Sequence, residues 1–336
     1  MDVTQLIFNV AVLFIMAVPG IILKKCKLVP DGFGKGLSNL VLYIAQPALI
    51  VYAYLDSTAS FSQIWLNILL IFAFSIIAHL LFFGASMIFF KRATDARRRV
   101  LRFATIFSNA AFMGIPLIEA LCGAEATIYA SIYNITFNLF LWTLGVHLCT
   151  HNRADHDGDG DIDIADDIIA IKKRVSEISW FKVLIHPITL ASIIGVTLLV
   201  LGINNSTVNL GVIERSLNML KGLVAPLSMV VIGLRLAELD FKGILKDYHM
   251  YIFLILRHLV LPFAVLGVIK LFVLFVTVPE LVLTVTMVLV STPAATSATM
   301  FAEKYDCDAV YVSRLVAIST ILSIATMPLV VFVALL

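Results

Sequence analysis

The sequence predicts an all-α membrane protein whose ten transmembrane helices form two five-helix repeats of opposite orientation. Three observations predict it. Hydrophobic residues make up 61% of the 336 and charged residues 14%, with mean hydropathy +1.02, which is more apolar surface than a soluble core can hide. Ten mainly apolar segments, each of about the 20 residues needed to cross hydrocarbon, are centred near residues 14, 46, 76, 111, 137, 194, 226, 262, 290 and 322. The polar stretch 150–180 separates five of them from the other five. An odd number of spans in each half makes the halves enter the membrane in opposite directions, which is the topology of an inverted repeat. The predicted units are therefore 1–149, the linker 150–180, and 181–336.

Taken in order, the first span follows Met1 and Asp2 without a basic n-region or a small-x-small cleavage site. It is also too long for a signal h-region, so it reads as a retained helix. The second carries "QPAL", with Gln46 and Pro47, and the third carries His79. The fourth reads "IFSNAAFMGIPLIEALCG", with Asn109 and Pro116, and the fifth has Asn134 and Asn138, which share one helix face. After the linker and the sixth span, the seventh has "APLS" at Pro226, the eighth Arg257 and His258, and the ninth "VSTPAATSATM" around Pro293. The prolines keep register between the halves: Pro47 and Pro116 are 69 residues apart, Pro226 and Pro293 67.

Proline removes an amide donor and its ring clashes with the carbonyl one turn earlier, so the backbone is expected to open around Pro116 and Pro293. In a bilayer the freed groups survive only when buried in protein or facing a wet cavity. Ser291, Thr292, Thr296, Ser297 and Thr299 can satisfy opened turns, and the alanines between them let a second backbone approach closely. Either proline alone reads equally as a kink in a packed helix. Paired in symmetric positions, they predict two broken helices, the fourth and ninth, crossing at mid-membrane with their charged ends turned to one site.

Ionisable groups inside spans point to function. His79 and His258 could carry a coupling proton. Arg257 could neutralise a substrate carboxylate, or snorkel to an interface about nine residues away. Asn134, Asn138 and Gln46 suit interhelical hydrogen bonds as well as contact with a cation or substrate. No catalytic triad, zinc spacing or phosphate loop is evident, so no enzyme is expected. Cys26, Cys122, Cys149 and Cys307 lack CxxC spacing and read as packed or free thiols. Twenty of the 24 Lys and Arg residues fall in alternate loops, which the positive-inside rule assigns to the cytoplasm. Both termini are then outside and the linker cytoplasmic, in a plasma (inner) membrane. Short basic loops suit anionic lipid headgroups and exclude a nucleic-acid face.

Within the linker, "DHDGDGDIDIAD" puts Asp155, Asp157, Asp159, Asp161, Asp163 and Asp166 at positions 1, 3, 5, 7, 9 and 12 of a calcium loop, with Gly160 at 6. Calcium is therefore an expected ligand, against the plainer reading of a solvated acidic linker. With Asp at position 12 the segment resembles a dockerin repeat.

"VLYIAQPALI" (41–50), "SNAAFMGIPL" (108–117), "GLVAPLSMVVIGLRLA" (222–237), "STPAATSATMFAEKY" (291–305) and "ISTILSIATMPLV" (318–330) together resemble the auxin efflux carrier family, prokaryotic relatives of the plant PIN-formed transporters. The resemblance implies a fold akin to sodium/proton antiporters and bile-acid symporters. In it spans 1, 2, 6 and 7 form a scaffold, and the others a transport domain whose fourth and ninth helices cross at their prolines. It also implies a homodimer that moves a small organic anion by an elevator-like motion. Asn109, Pro116 and Pro293 match its motifs, and Ser297 stands where the ninth helix often has Asn. The fourth span lacks the Asn-Pro-Asn of plant members, so auxin itself is not implied. The expectation is a carrier whose site at the crossing uses Asn109, Thr296 and Ser297, coupled to a proton or sodium if at all. The alternatives are a sodium-coupled symporter of bile-acid type, and a membrane receptor or calcium sensor on a transporter fold.

Overall fold

Apolar runs long enough to cross a bilayer fold as helices because, in hydrocarbon, every backbone N–H and C=O must find its partner within the segment. The computed structural model describes residues 3–150, 183–208, 210–238 and 247–336. Among these residues every regular element is a helix, and seven helices are long and apolar enough to span a membrane. The elements are α1 (Val3–Lys25), α2 (Phe33–Asp56), α3 (Phe61–Phe89), α4 (Asp95–Ile106) and α5 (Ala110–Thr150). They continue with α6 (Pro187–Leu201), α7 (Gly211–Ala237), α8 (Tyr248–Val273), α9 (Glu280–Ser291), α10 (Ser297–Lys304) and α11 (Ala309–Leu335). Helix α5 is two rods joined at Gly123, whose φ of 74° and ψ of −158° suit a residue without Cβ. From residue 151 the linker lies outside the described residues, and with it Asp155, Asp157, Asp159, Asp161, Asp163 and Asp166.

The prolines behave differently from expectation. Pro47, Pro116 and Pro262 each stand two residues beyond a five-residue π-helical turn, at Val41–Ala45, Ala110–Gly114 and Leu256–Val260. In each case the residue just before the proline donates its N–H to the carbonyl five residues back: Gln46 to Val41, Ile115 to Ala110, Leu261 to Leu256. A wide turn moves the carbonyl that the ring would strike, so the helix continues past the proline instead of breaking. The opening expected at Pro116 therefore lies upstream, at 107–109, whereas in the second half it does fall at Pro293.

Packing follows small residues. α1 lies against α7 with Gly20 facing Val230 and Leu234, and Gly233 facing Ala17 and Gly20, so closely that a Cβ at either glycine would overlap backbone atoms. Helices in lipid gain no hydrophobic drive from meeting one another, so close backbone contact of this kind holds them. Lys24 ties the same pair together at one end, 2.8 Å from Glu238. α2 packs on α6, where Gly195 receives the Tyr54 ring.

Candidate functional site

α4 ends at Ile106, and Phe107 turns to extended backbone (φ −92°, ψ 118°). α9 ends at Ser291, and Thr292 is extended too (φ −60°, ψ 152°), as a residue before proline prefers. The two extended strips lie antiparallel across each other. Asn109 N donates to Pro293 O at 2.8 Å, Ala295 N donates to Phe107 O at 2.9 Å, and Ser108 stands opposite Ala294. The freed backbone groups of each broken helix are thus satisfied by the other. Hydroxyls complete the last turns: Thr105 to Leu101 O at 2.8 Å, Ser291 to Val288 O at 3.0 Å and Thr292 to Leu289 O at 2.8 Å.

Four helix ends meet at this crossing. α4 and α9 bring their C-termini, where carbonyls carry partial negative charge, and α5 and α10 bring their N-termini, where amides carry partial positive charge. Arg257 is fully buried at the C-terminal pair: Nη2 donates to Thr292 O at 2.7 Å and Nη1 to Thr105 O at 3.3 Å, with the guanidinium 4.9 Å over the Phe82 ring. It does not snorkel. Each C-terminus is worth about half a negative charge, so two together balance about one guanidinium.

At the N-terminal pair, Asn109 occupies the N-cap position of α5 without a side-chain capping bond and is 2% exposed, and its Nδ2 has no partner among the described residues. Thr296 is the N-cap of α10, and Ser297 Oγ next to it is also without a partner among the described residues. Gln46 reaches in from α2, Nε2 donating to Ala111 O at 2.6 Å while Oε1 has no partner among the described residues. His258 lies 2.8 Å through Nε2 from Ser319 Oγ, which accepts from Ala294 N at 3.0 Å, and its Nδ1 is 2.9 Å from Thr326 Oγ1. His79 bonds Ser75 O at 2.7 Å and stacks on Phe140 at 5.0 Å, inside a ring completed by Phe107, Tyr133 and Phe137. Asn134 Nδ2 donates to Ala130 O at 3.0 Å within its own helix, and Asn138 ties α5 to α6, 3.2 Å from His186 Nδ1.

A cavity of about 270 Å³ reaches this place, between the C-terminal end of α7 (Arg235, Glu238), α10 with its N-cap (Thr296, Thr299, Glu303) and the first half of α11 (Ser313, Arg314, Thr320). Of the hydroxyl residues that the sequence places around Pro293, Thr296 and Thr299 line it; Asn109 and Ser297 are not among its lining residues. Arg235 and Arg314 escaped notice as cavity residues because they count as loop charges for orientation. The available signal was that each interrupts an apolar helix, in "VVIGLRLA" and "VYVSRLVAIS". Among the described residues no group of three or more His, Cys, Asp and Glu could hold a metal ion.

A family model described as membrane transport protein matches residues 5–331. No curated protein matches the chain.

Proposed function

We propose that this chain, which belongs to the membrane transport protein family of auxin efflux carriers, is a secondary carrier that moves a small organic anion through the crossing of its broken helices. The observation that carries this reading is the charge balance there. Arg257 offsets the two C-terminal ends, which leaves two N-terminal ends worth about one positive charge together. Beside them Asn109 Nδ2 is a buried donor with no partner among the described residues, a costly state unless a ligand supplies the acceptor. A carboxylate meets both demands.

The path fits alternating access. If α4 with 110–122 counts as one broken span, 124–150 as the next, and α9 with α10 as another, the chain makes ten passes in two halves of five. α1 and α7, and α2 and α6, pack as a scaffold, and the cavity lies between this group and α10 and α11. About 21 Å further along α7, Lys221 pairs with Glu119 of α5 at 2.9 Å and lies over the Tyr52 ring of α2. The carrier would thus be open at the Arg235 end, the cytoplasmic side by charge, and closed at the Lys221 end. An elevator motion of the group that contains the crossing would break the Lys221–Glu119 pair.

The test is a thermal-shift screen of the purified protein against carboxylates, amino acids, indole acids and bile acids, with and without sodium. A ligand that binds the native state raises its melting temperature. The expected result is a carboxylate shift in the parent protein that is lost in Asn109→Ala, while the variant without ligand melts close to the parent. Unaltered carboxylate affinity and uptake in Asn109→Ala would overturn the assignment of the crossing as the site. A shift that requires sodium would make the carrier a symporter.

A further inference from the structure

Most arginines near the cavity end of the bundle are committed to protein acceptors. Arg97 pairs with Asp247 at 3.3 Å, Arg98 and Arg99 pair with Asp95, and Arg99 also donates to Cys149 O at 3.1 Å. Arg235 and Arg314 differ. Both line the 270 Å³ cavity, both are half-buried, and neither has a hydrogen bond or ion pair to a described residue. Two carboxylates face the same cavity. Glu238 is held by Lys24 at 2.8 Å, and Glu303 lies within 4 Å of neither guanidinium. Among the described residues the lining thus carries two arginines and two carboxylates, one of them engaged by Lys24 from outside the cavity, and the two arginines have donor forks to spare.

Resting on the carrier reading above, we infer that Arg235 and Arg314 form a capture station for a small carboxylate, which holds it in the cavity before it reaches the crossing. A guanidinium fork matches a carboxylate with two parallel N–H donors, and low-dielectric walls concentrate the field that draws the anion in. The volume is at the small end of ligand pockets, which suits a small acid. Beyond the arginines the wall continues with the hydroxyls of Thr299 and Thr296, the latter at the start of α10. An anion leaving the guanidinium pair thus has oxygen-bound donors along its way to the helix N-terminus. The station sets affinity and charge selectivity, and the crossing sets translocation.

The test needs no knowledge of the substrate. Ser313 lines the cavity beside Arg314, and Ser313→Cys is a near-isosteric reporter. Its thiol is labelled in purified protein with anionic sulfonatoethyl methanethiosulfonate or cationic trimethylammonioethyl methanethiosulfonate. Modification is followed by mass spectrometry on the peptide that carries the reporter thiol, so that the native cysteines do not interfere, and each rate is divided by that of free 2-mercaptoethanol. The expected result is an anion preference of about tenfold, or about 1.4 kcal/mol. It should fall in Arg235→Gln and in Arg314→Gln singly and to within about twofold in the pair, at unchanged elution on size exclusion. A preference for the cation, or an anion preference that survives in both single variants, would overturn the station. This outcome is separable from the fate of the carrier reading: labelling requires no transport, and the Asn109→Ala test does not involve the arginines.

Discussion

Arg257→Met should cost more stability than any other single change at the crossing. The physical question is which effect wins, because burying a charge is expensive and an apolar replacement of a buried ion pair is often neutral. Here the negative partner cannot be removed with the arginine. It is the backbone itself, the ends of α4 and α9 at Thr105 O and Thr292 O, bound at 3.3 and 2.7 Å. Methionine fills much of the space against Phe82 but leaves two buried carbonyl ends without donors and without a countercharge. A loss of about 3–5 kcal/mol is expected, read as a melting temperature lower by roughly 6–10 °C in detergent. Arg257→Lys keeps the charge but not the fork that spans both carbonyls, and should fall between the two. A methionine variant that melts with the parent would mean that the two helix ends find other donors.

The second large effect is expected in the α1–α7 contact. In Gly233→Ala the new Cβ overlaps Ala17 O and lies 3.1 Å from Gly20 Cα; in Gly20→Ala it overlaps Val230 O and lies 2.8 Å from Leu234 N. These obstacles are backbone atoms, which no rotamer change can move aside, so the helices must part along their length. The cost is expected at about 3 kcal/mol or more, the upper end for overpacking. The double variant should cost less than the sum, since one separation relieves both clashes. Gly84→Ala and Gly267→Ala serve as controls. A Cβ meets nothing within 4 Å at either, and each lies within a helix, so they should be neutral or raise stability by up to about 1 kcal/mol. Thermal melts of the four single variants and the double variant beside the parent check the contrast.

Much of the candidate site is legible in the sequence. The "STPAA" stretch does form one of the two breaks, and Arg257 and His258 do sit beside the crossing. The wrong step was to place the first break at Pro116. Proline was the only local signal in that span, and its cost is absorbed by a π-helical turn, as it is at Pro47 and Pro262. Nothing local marks Phe107–Asn109 as extended. Its backbone is opened by Pro293 O and Ala295 N from the other half of the chain, more than 180 residues away.

By itself the sequence determined that this is a membrane protein built of helices, roughly where those helices run, and which polar residues lie inside them. Hydropathy and segment length are local properties, and a bilayer leaves a long apolar segment little choice but to satisfy its own backbone as a helix. Only the tertiary structure decided where the fourth helix breaks, that Arg257 faces two helix ends instead of an interface, and that Arg235 and Arg314 share one cavity. Each of these depends on groups brought together from distant parts of the chain, and hydrogen bonds and charges at close range act on distance in space, which the order of residues does not contain.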